Sequence, residues 1–309
     1  MRRPALAILS LVVAGAVAVT GCAGPAGPAA SGDYSVTVTT PDDGEVVLTA
    51  APARVGALNG NRVIPFVQPF LDEGHVLVGY GNEADPEKYP WIQAELEAFT
   101  AVDDSDGPNV EEYAAWDADL LIANGNVGDF WEPAREAGPL VQLPETDWRA
   151  TTTLLGEIFQ KPDVAEDVIA TTEATIADAR LAEPVTAAVL WPYQENGTVG
   201  TQVLGAELPN FLGDLNITVA GSDTAVDGYE DVSLELLAER LAGVDHVIVL
   251  SSGDDLQQRF LDNPVVADIP VIASGHVTRF TDVQTGAGFP VTPMTVPVLI
   301  DALSGVLKP

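Results

Sequence analysis

The stretch PDVAEDVIATTEATIADARLA, Pro162 to Ala182, decides the reading of the fold. Pro162 suits the first position of a helix, and Asp163 and Glu166 fall in its first turn, where carboxylates complement the helix dipole. Val164, Val168, Ile169, Thr172, Ile176 and Ala179 recur at helical spacing. Glu183-Pro184 then stops the pattern. A helix over Pro162–Ala182 would be about 30 Å long. From Trp148 to Ala182 no strand candidate occurs. On both sides of that gap, short apolar runs read as buried strands: Val55–Leu58, Val76–Tyr80, Leu120–Ala123, Ala187–Trp191, Ile217–Ala220, His246–Ser251 and Val271–Ala273. Helical patterns lie between many of them, which predicts α/β layers with largely parallel sheets. The plan is two α/β lobes, residues 34–147 and 184–309, joined by a helical segment over residues 148–183. Such a plan leaves a ligand cleft between the lobes and a stiff hinge. Before the first lobe settles into this rhythm, YSVTVTT (Tyr34 to Thr40), the turn PDDG and EVVLT (Glu45 to Thr49) predict a β-hairpin.

The chain starts differently. Arg2 and Arg3 precede the apolar run of residues 4–20, and Val19-Thr20-Gly21-Cys22 follows. This is a secretory signal over residues 1–21. Its end looks like a bacterial lipobox, with Cys22 the lipidated first residue of the mature chain. Cys22 is the only cysteine, so an internal disulfide is excluded. AGPAGPAASG after it reads as a flexible tether over residues 22–33. The protein is therefore expected outside the cytoplasm, lipid-anchored to the outer face of the cell membrane.

Beyond the signal, 288 residues carry 11 basic and 46 acidic side chains, a formal charge of −35. Such a field excludes nucleic acid as a partner and is repelled by anionic membranes. Adaptation to a salty medium and a role in ligand selection both account for it. With 47% hydrophobic residues, the charge does not signal disorder. No run after residue 21 approaches the length needed to cross a bilayer.

Motifs for chemistry are weak. Gly79-Tyr-Gly-Asn-Glu-Ala84 fits a dinucleotide fingerprint, but Pro86 and Pro90 argue against the helix it requires. His75, His246 and His276 abut apolar strands, and none has a His or Cys at ligand spacing, so no metal site is expected. Haem ligation by Tyr80 or Tyr89 stays open. No nucleophile elbow occurs, and nothing points to an enzyme. Large aromatics at predicted strand ends suit a pocket wall: Tyr80, Tyr89, Trp91, Trp131, Trp191 and Tyr193. Arg62 and Arg279 are candidate cationic contacts.

These segments resemble the substrate-binding lipoproteins of ABC importers, in the ferric-siderophore and cobalamin group. The resemblance runs through Ala51–Leu58, Val78–Gly81, Tyr89–Trp91 and Pro108–Ala123. In the second lobe it continues through Val232–Leu236, Val244–Val249, Asn263–Val266 and Gly275–Phe280. It implies two Rossmann-like lobes joined by one long helix, and closure that is small. It also implies one acid on each lobe that docks onto permease arginines, here Glu111 (with Glu112 as the near alternative) and Glu235. The function implied is capture of a ferric siderophore by a monomer that needs no cofactor and hands its cargo to an ABC importer. The strongly acidic chain favours hydroxamate or mixed-ligand chelates over trianionic catecholates. Haem or cobalamin binding, a membrane-tethered enzyme and an adhesion or signalling module remain alternatives.

Overall fold

The computed structural model describes residues 34–40, 44–79, 86–98, 110–125, 131–144, 146–192, 197–203, 205–221 and 228–307. The signal segment, Cys22, the tether, Tyr80 and Tyr193 lie outside the described residues, as does the side chain of Trp131.

The predicted hairpin is present. Strands β1 (Val36–Thr40) and β2 (Gly44–Leu48) pair antiparallel. Alternation puts Val38 and Leu48 into the core, and the Tyr34 hydroxyl donates to the Ile158 carbonyl at 2.7 Å. The first lobe is a four-stranded sheet of β3 (Arg54–Ala57), β4 (Val76–Gly79), β5 (Leu120–Asn124) and β6 (Leu140–Leu143), ordered β4-β3-β5-β6. All three pairings are parallel. Every residue of β5 is buried, as expected of a central strand covered on both faces.

The helical segment between the sheets is two helices, Trp148–Ile158 and Pro162–Ala179. Asp147 caps the first, accepting from the backbone N–H groups of Arg149 and Ala150. The second starts at Pro162 as expected but ends three residues earlier than Ala182. Arg180 is already extended (φ −61°, ψ 131°), and its guanidinium donates to the Asp214 carbonyl at 2.7 Å. Gly156 lets the two helices meet, since a Cβ there would lie 2.6 Å from the Ala165 Cβ.

The second lobe contains β7 (Val185–Trp191), β8 (Thr198–Gln202), β9 (Ile217–Val219), β10 (Tyr229–Ser233), β11 (His246–Val249) and β12 (Val277–Arg279). Their order is β10-β8-β7-β11-β12, with β9 beside the first half of β7. β7, β9, β11 and β12 are mutually parallel, whereas β8 runs antiparallel to β7 and to β10. The fold is α/β, two largely parallel lobes joined through a long helix. Val271–Ala273, expected as a strand, is instead a helical turn, Pro270–Ala273. Pro270 occupies its first position with φ preset for a helix, and the strand comes later, at β12.

One core of buried side chains runs from the hairpin through Val55, Ile122 and Leu155 to Ile176, Val189 and Leu299. The long helix contributes Ala165 and Ile176 to it. Packing that continuous resists large relative motion of the two sheets.

Candidate functional site

The lobes meet at the strand ends. After β3 the chain turns through Asn59, whose buried amide donates to the Asn124 carbonyl and accepts from the Asn124 N–H at 3.1 Å. This staples the ends of β3 and β5 together. Arg62 follows, in the helix Gly60–Val67. Its Nε reaches the Asn124 carbonyl and Oδ1, each at 3.1 Å. Its terminal nitrogen pairs across the lobe boundary with Glu207, which opens the helix Glu207–Asp214. The helix N-terminus favours that carboxylate, whose side chain is 4% exposed.

A second bridge lies alongside. Lys88, on the first lobe, pairs with Asp282 at 3.3 Å. Asp282 also accepts from the Ser251 hydroxyl and from the Gly253 N–H. The Ser251 hydrogen bond, helped by Lys88 and the Gly253 N–H, holds the Asp282 carboxyl below its usual range although burial opposes this. Next to Lys88, the Tyr89 hydroxyl accepts from Asn61 at 3.3 Å, and its ring meets Trp91 edge-on at 5.8 Å. Gly286 permits this approach, because a Cβ there would lie 3.1 Å from the Tyr89 ring. Three residues on, Phe289 lies against Trp191 at 5.2 Å, and the Trp191 indole N–H donates to Ser252. Tyr89 and Trp191, from opposite lobes, thus meet one short segment, Gly286–Phe289.

Beside Trp191 a cavity of about 380 Å³ is lined by Gly200, Thr201, Gln202, Tyr229, Glu230 and Asp231. Gln202 is 1% exposed, and neither atom of its amide finds a partner among the described residues. A buried polar group left unpaired costs about 1–3 kcal/mol.

Of the residues expected to touch ligand, Arg62, Tyr89, Trp91 and Trp191 lie at the boundary. Arg62 is held there by protein partners. Arg279 ends the edge strand β12, where Gln257 and Gln258 accept from its guanidinium at 2.8 and 2.7 Å. Trp131 opens the helix Trp131–Ala137. Glu111 and Glu235 are exposed in the first turns of the helices Val110–Ala115 and Leu234–Arg240. Sequence reasoning missed Lys88, Gln202, Glu207, Asp282 and Phe289.

No group of three or more His, Cys, Asp or Glu able to hold a metal occurs among the described residues. None of the described helices is long and apolar enough to cross a membrane. His246 and His276 come together across β11 and β12 with their rings stacked at 6.4 Å. Spacing along the chain could not reveal this, since parallel strands join distant residues. The His246 ring also meets the Thr278 hydroxyl at 2.8 Å. Burial first, and His276 second, push the His246 pKa below its ordinary 6.5. The unfolded chain then binds the proton more readily than the fold does. Stability is expected to be complete above pH 6.5 and to fall as pH drops through the lowered folded pKa. Thermal melts between pH 7.5 and 5 check this, and His246→Gln should flatten that slope. An unchanged slope would exclude His246 as its source.

The family model for periplasmic binding proteins matches residues 82–283. The chain belongs to the periplasmic binding protein family. Among solved structures it is similar to a periplasmic solute binding protein from Mycobacterium smegmatis (TM-score 0.70, 22% identity), covering 90% of this chain and all of that one. It is also similar to the petrobactin-binding protein YclQ from Bacillus subtilis (TM-score 0.71, 16% identity), covering 89% and 99% of the two chains. A third is PiaA from Streptococcus pneumoniae in complex with ferrichrome (TM-score 0.67, 18% identity), with 88% and 98% covered. At these identities the likeness is one of fold. No curated protein matches the sequence significantly.

Proposed function

We propose that this protein is an extracytoplasmic binding protein that captures a ferric siderophore and delivers it to an ABC importer for iron uptake. The observation that carries the proposal is the family membership combined with the aromatic lobe boundary of Tyr89, Trp91, Phe289 and Trp191. Similar folds named for petrobactin binding and seen with ferrichrome support the ligand class. Aromatic walls suit the organic shell of a chelate. The protein would hold the chelator and leave the iron to it, without a cofactor or covalent step.

The remaining parts follow from the sequence. Residues 1–21 export the chain, Cys22 carries the lipid, and residues 22–33 tether the two lobes to the outer face of the membrane as a monomer. Glu111 and Glu235 dock the loaded protein onto the permease. The β10 strand runs parallel to β7, because each is antiparallel to β8. The helix carrying Glu235 follows β10 directly, so its first turn lies at the same sheet edge as Trp191. An acid there sits on the side where the site opens.

Titration of the protein with Cys22 removed, followed by tryptophan fluorescence, tests this. The panel holds a ferrioxamine, ferrichrome, a ferric tris-catecholate, haemin and cobalamin. Saturable quenching by a ferric chelate at submicromolar concentration is the expected result. Binding of haemin or cobalamin alone would replace the ligand class, and silence across all five would remove the iron reading.

A further inference from the structure

We propose that the cavity beside Trp191 is a specificity subsite, read by Gln202, for an uncharged or cationic amide-bearing arm of the chelate. The preferred ligand would then be a hydroxamate and not an anionic catecholate or carboxylate. This rests on the reading of the protein as a ferric-siderophore receptor.

The strand register builds the subsite. Trp191 stands opposite Gly200, and Val189 opposite Gln202, across the antiparallel β7–β8 pair. On the other side Tyr229 stands opposite Gln202, and Asp231 opposite Gly200. Opposed residues share a face of a sheet. Trp191, Gly200, Gln202, Tyr229 and Asp231 therefore point to one side. Gly200 has no side chain to place there, so a hollow opens on the sheet between the indole and Asp231.

The chemistry of the lining selects the occupant. The Gln202 amide offers two donors and an acceptor. Gln202 lines the cavity, is 1% exposed, and its amide has no protein partner among the described residues. A buried amide so placed calls for a group with both an acceptor and a donor, such as another amide. Charge points the same way. Asp231 lines the cavity on the face of Trp191 and Gln202, while Glu230 points to the other face of the sheet and holds Arg240 at 2.9 Å. At the lobe boundary Arg62 is held by Glu207 and Lys88 by Asp282. An anionic chelate would therefore meet carboxylates and cations that are already neutralised.

The test compares wild type, Gln202→Leu and Gly200→Val by fluorescence titration with ferrichrome, a ferrioxamine and a ferric tris-catecholate. Melting temperatures of the ligand-free proteins are taken in parallel. Wild type should bind a hydroxamate at least tenfold more tightly than the catecholate. Gln202→Leu should weaken hydroxamate binding about tenfold or more while leaving the melting temperature unchanged or raised, since it removes an unpaired buried amide. Gly200→Val should weaken binding by filling the hollow, and its β-branched side chain suits a strand. Hydroxamate affinity within twofold of wild type in both variants would overturn the subsite while leaving siderophore capture standing. So would a catecholate preference in wild type, or a lowered melting temperature that accounts for lost binding in both variants. Absence of binding to any ferric chelate by wild type would instead remove the functional reading, and the subsite with it.

Discussion

Arg62→Met is expected to destabilise the fold by about 3–5 kcal/mol, the usual consequence of removing one member of a buried ion pair. The Glu207 side chain is 4% exposed and that of Arg62 20%, so water cannot readily replace the lost guanidinium. The loss has a second part. Arg62 Nε also binds the carbonyl and side chain of Asn124, and Asn124 joins β5 to the turn at Asn59. The substitution therefore loosens the strand ends as well as the contact between lobes. Removing both charges separates these contributions. Arg62→Met with Glu207→Leu should recover most of the stability, because a desolvated ion pair gains little net over apolar side chains of similar size. Urea midpoints of wild type, both single variants and the double variant give the coupling directly. A double variant as unstable as the sum of the singles would show that the ion pair is not what joins the lobes here. The coupling should also resist added salt, since buried pairs are screened less than exposed ones.

What the sequence revealed follows how each residue is buried. β5 and β11 were legible as apolar runs because parallel strands covered on both faces carry little else. Thr198–Gln202 and Tyr229–Ser233 were not, since TVGTQ and YEDVS mix glycine and acids with only scattered apolar positions. Val271–Ala273 was short and apolar, and such a run does not distinguish a strand from a buried helical turn. Here the proline before it decided. In the site, Tyr89, Trp91 and Trp191 stood out as aromatics at strand ends. Arg62 stood out too, but its role could not, because its partner lies 145 residues away. Glu207 was one of 46 acids, and nothing local marks the one that becomes buried. Gln202 was invisible for a related reason, since glutamine is ordinarily an exposed residue. The segment Gly286–Phe289 gathers the two lobes only once the chain has folded.

Glu111→Ala combined with Glu235→Ala is expected to abolish import while leaving chelate affinity within about twofold. The warrant is local geometry as well as resemblance. Both acids are exposed in the first turns of their helices, and neither has a hydrogen bond or ion pair with another described residue. Truncation therefore forfeits only the interaction with the helix dipole, about 0.3–1 kcal/mol each, so folding should survive. Leu236, 58% exposed, stands next to Glu235 and supplies an apolar contact beside the charge, as a docking surface requires. Bulk charge cannot explain a loss of import, because removing two of the 46 acids barely changes the field of the whole chain. Transport of radiolabelled iron chelate by cells carrying the variant, set beside fluorescence titration of the purified protein, reads both quantities. Each single substitution should give partial transport, and Glu112→Ala should behave as wild type. Normal import by the double variant would place docking elsewhere. Loss of affinity in step with import would instead assign these acids to the ligand site, against their exposed positions on the two helices.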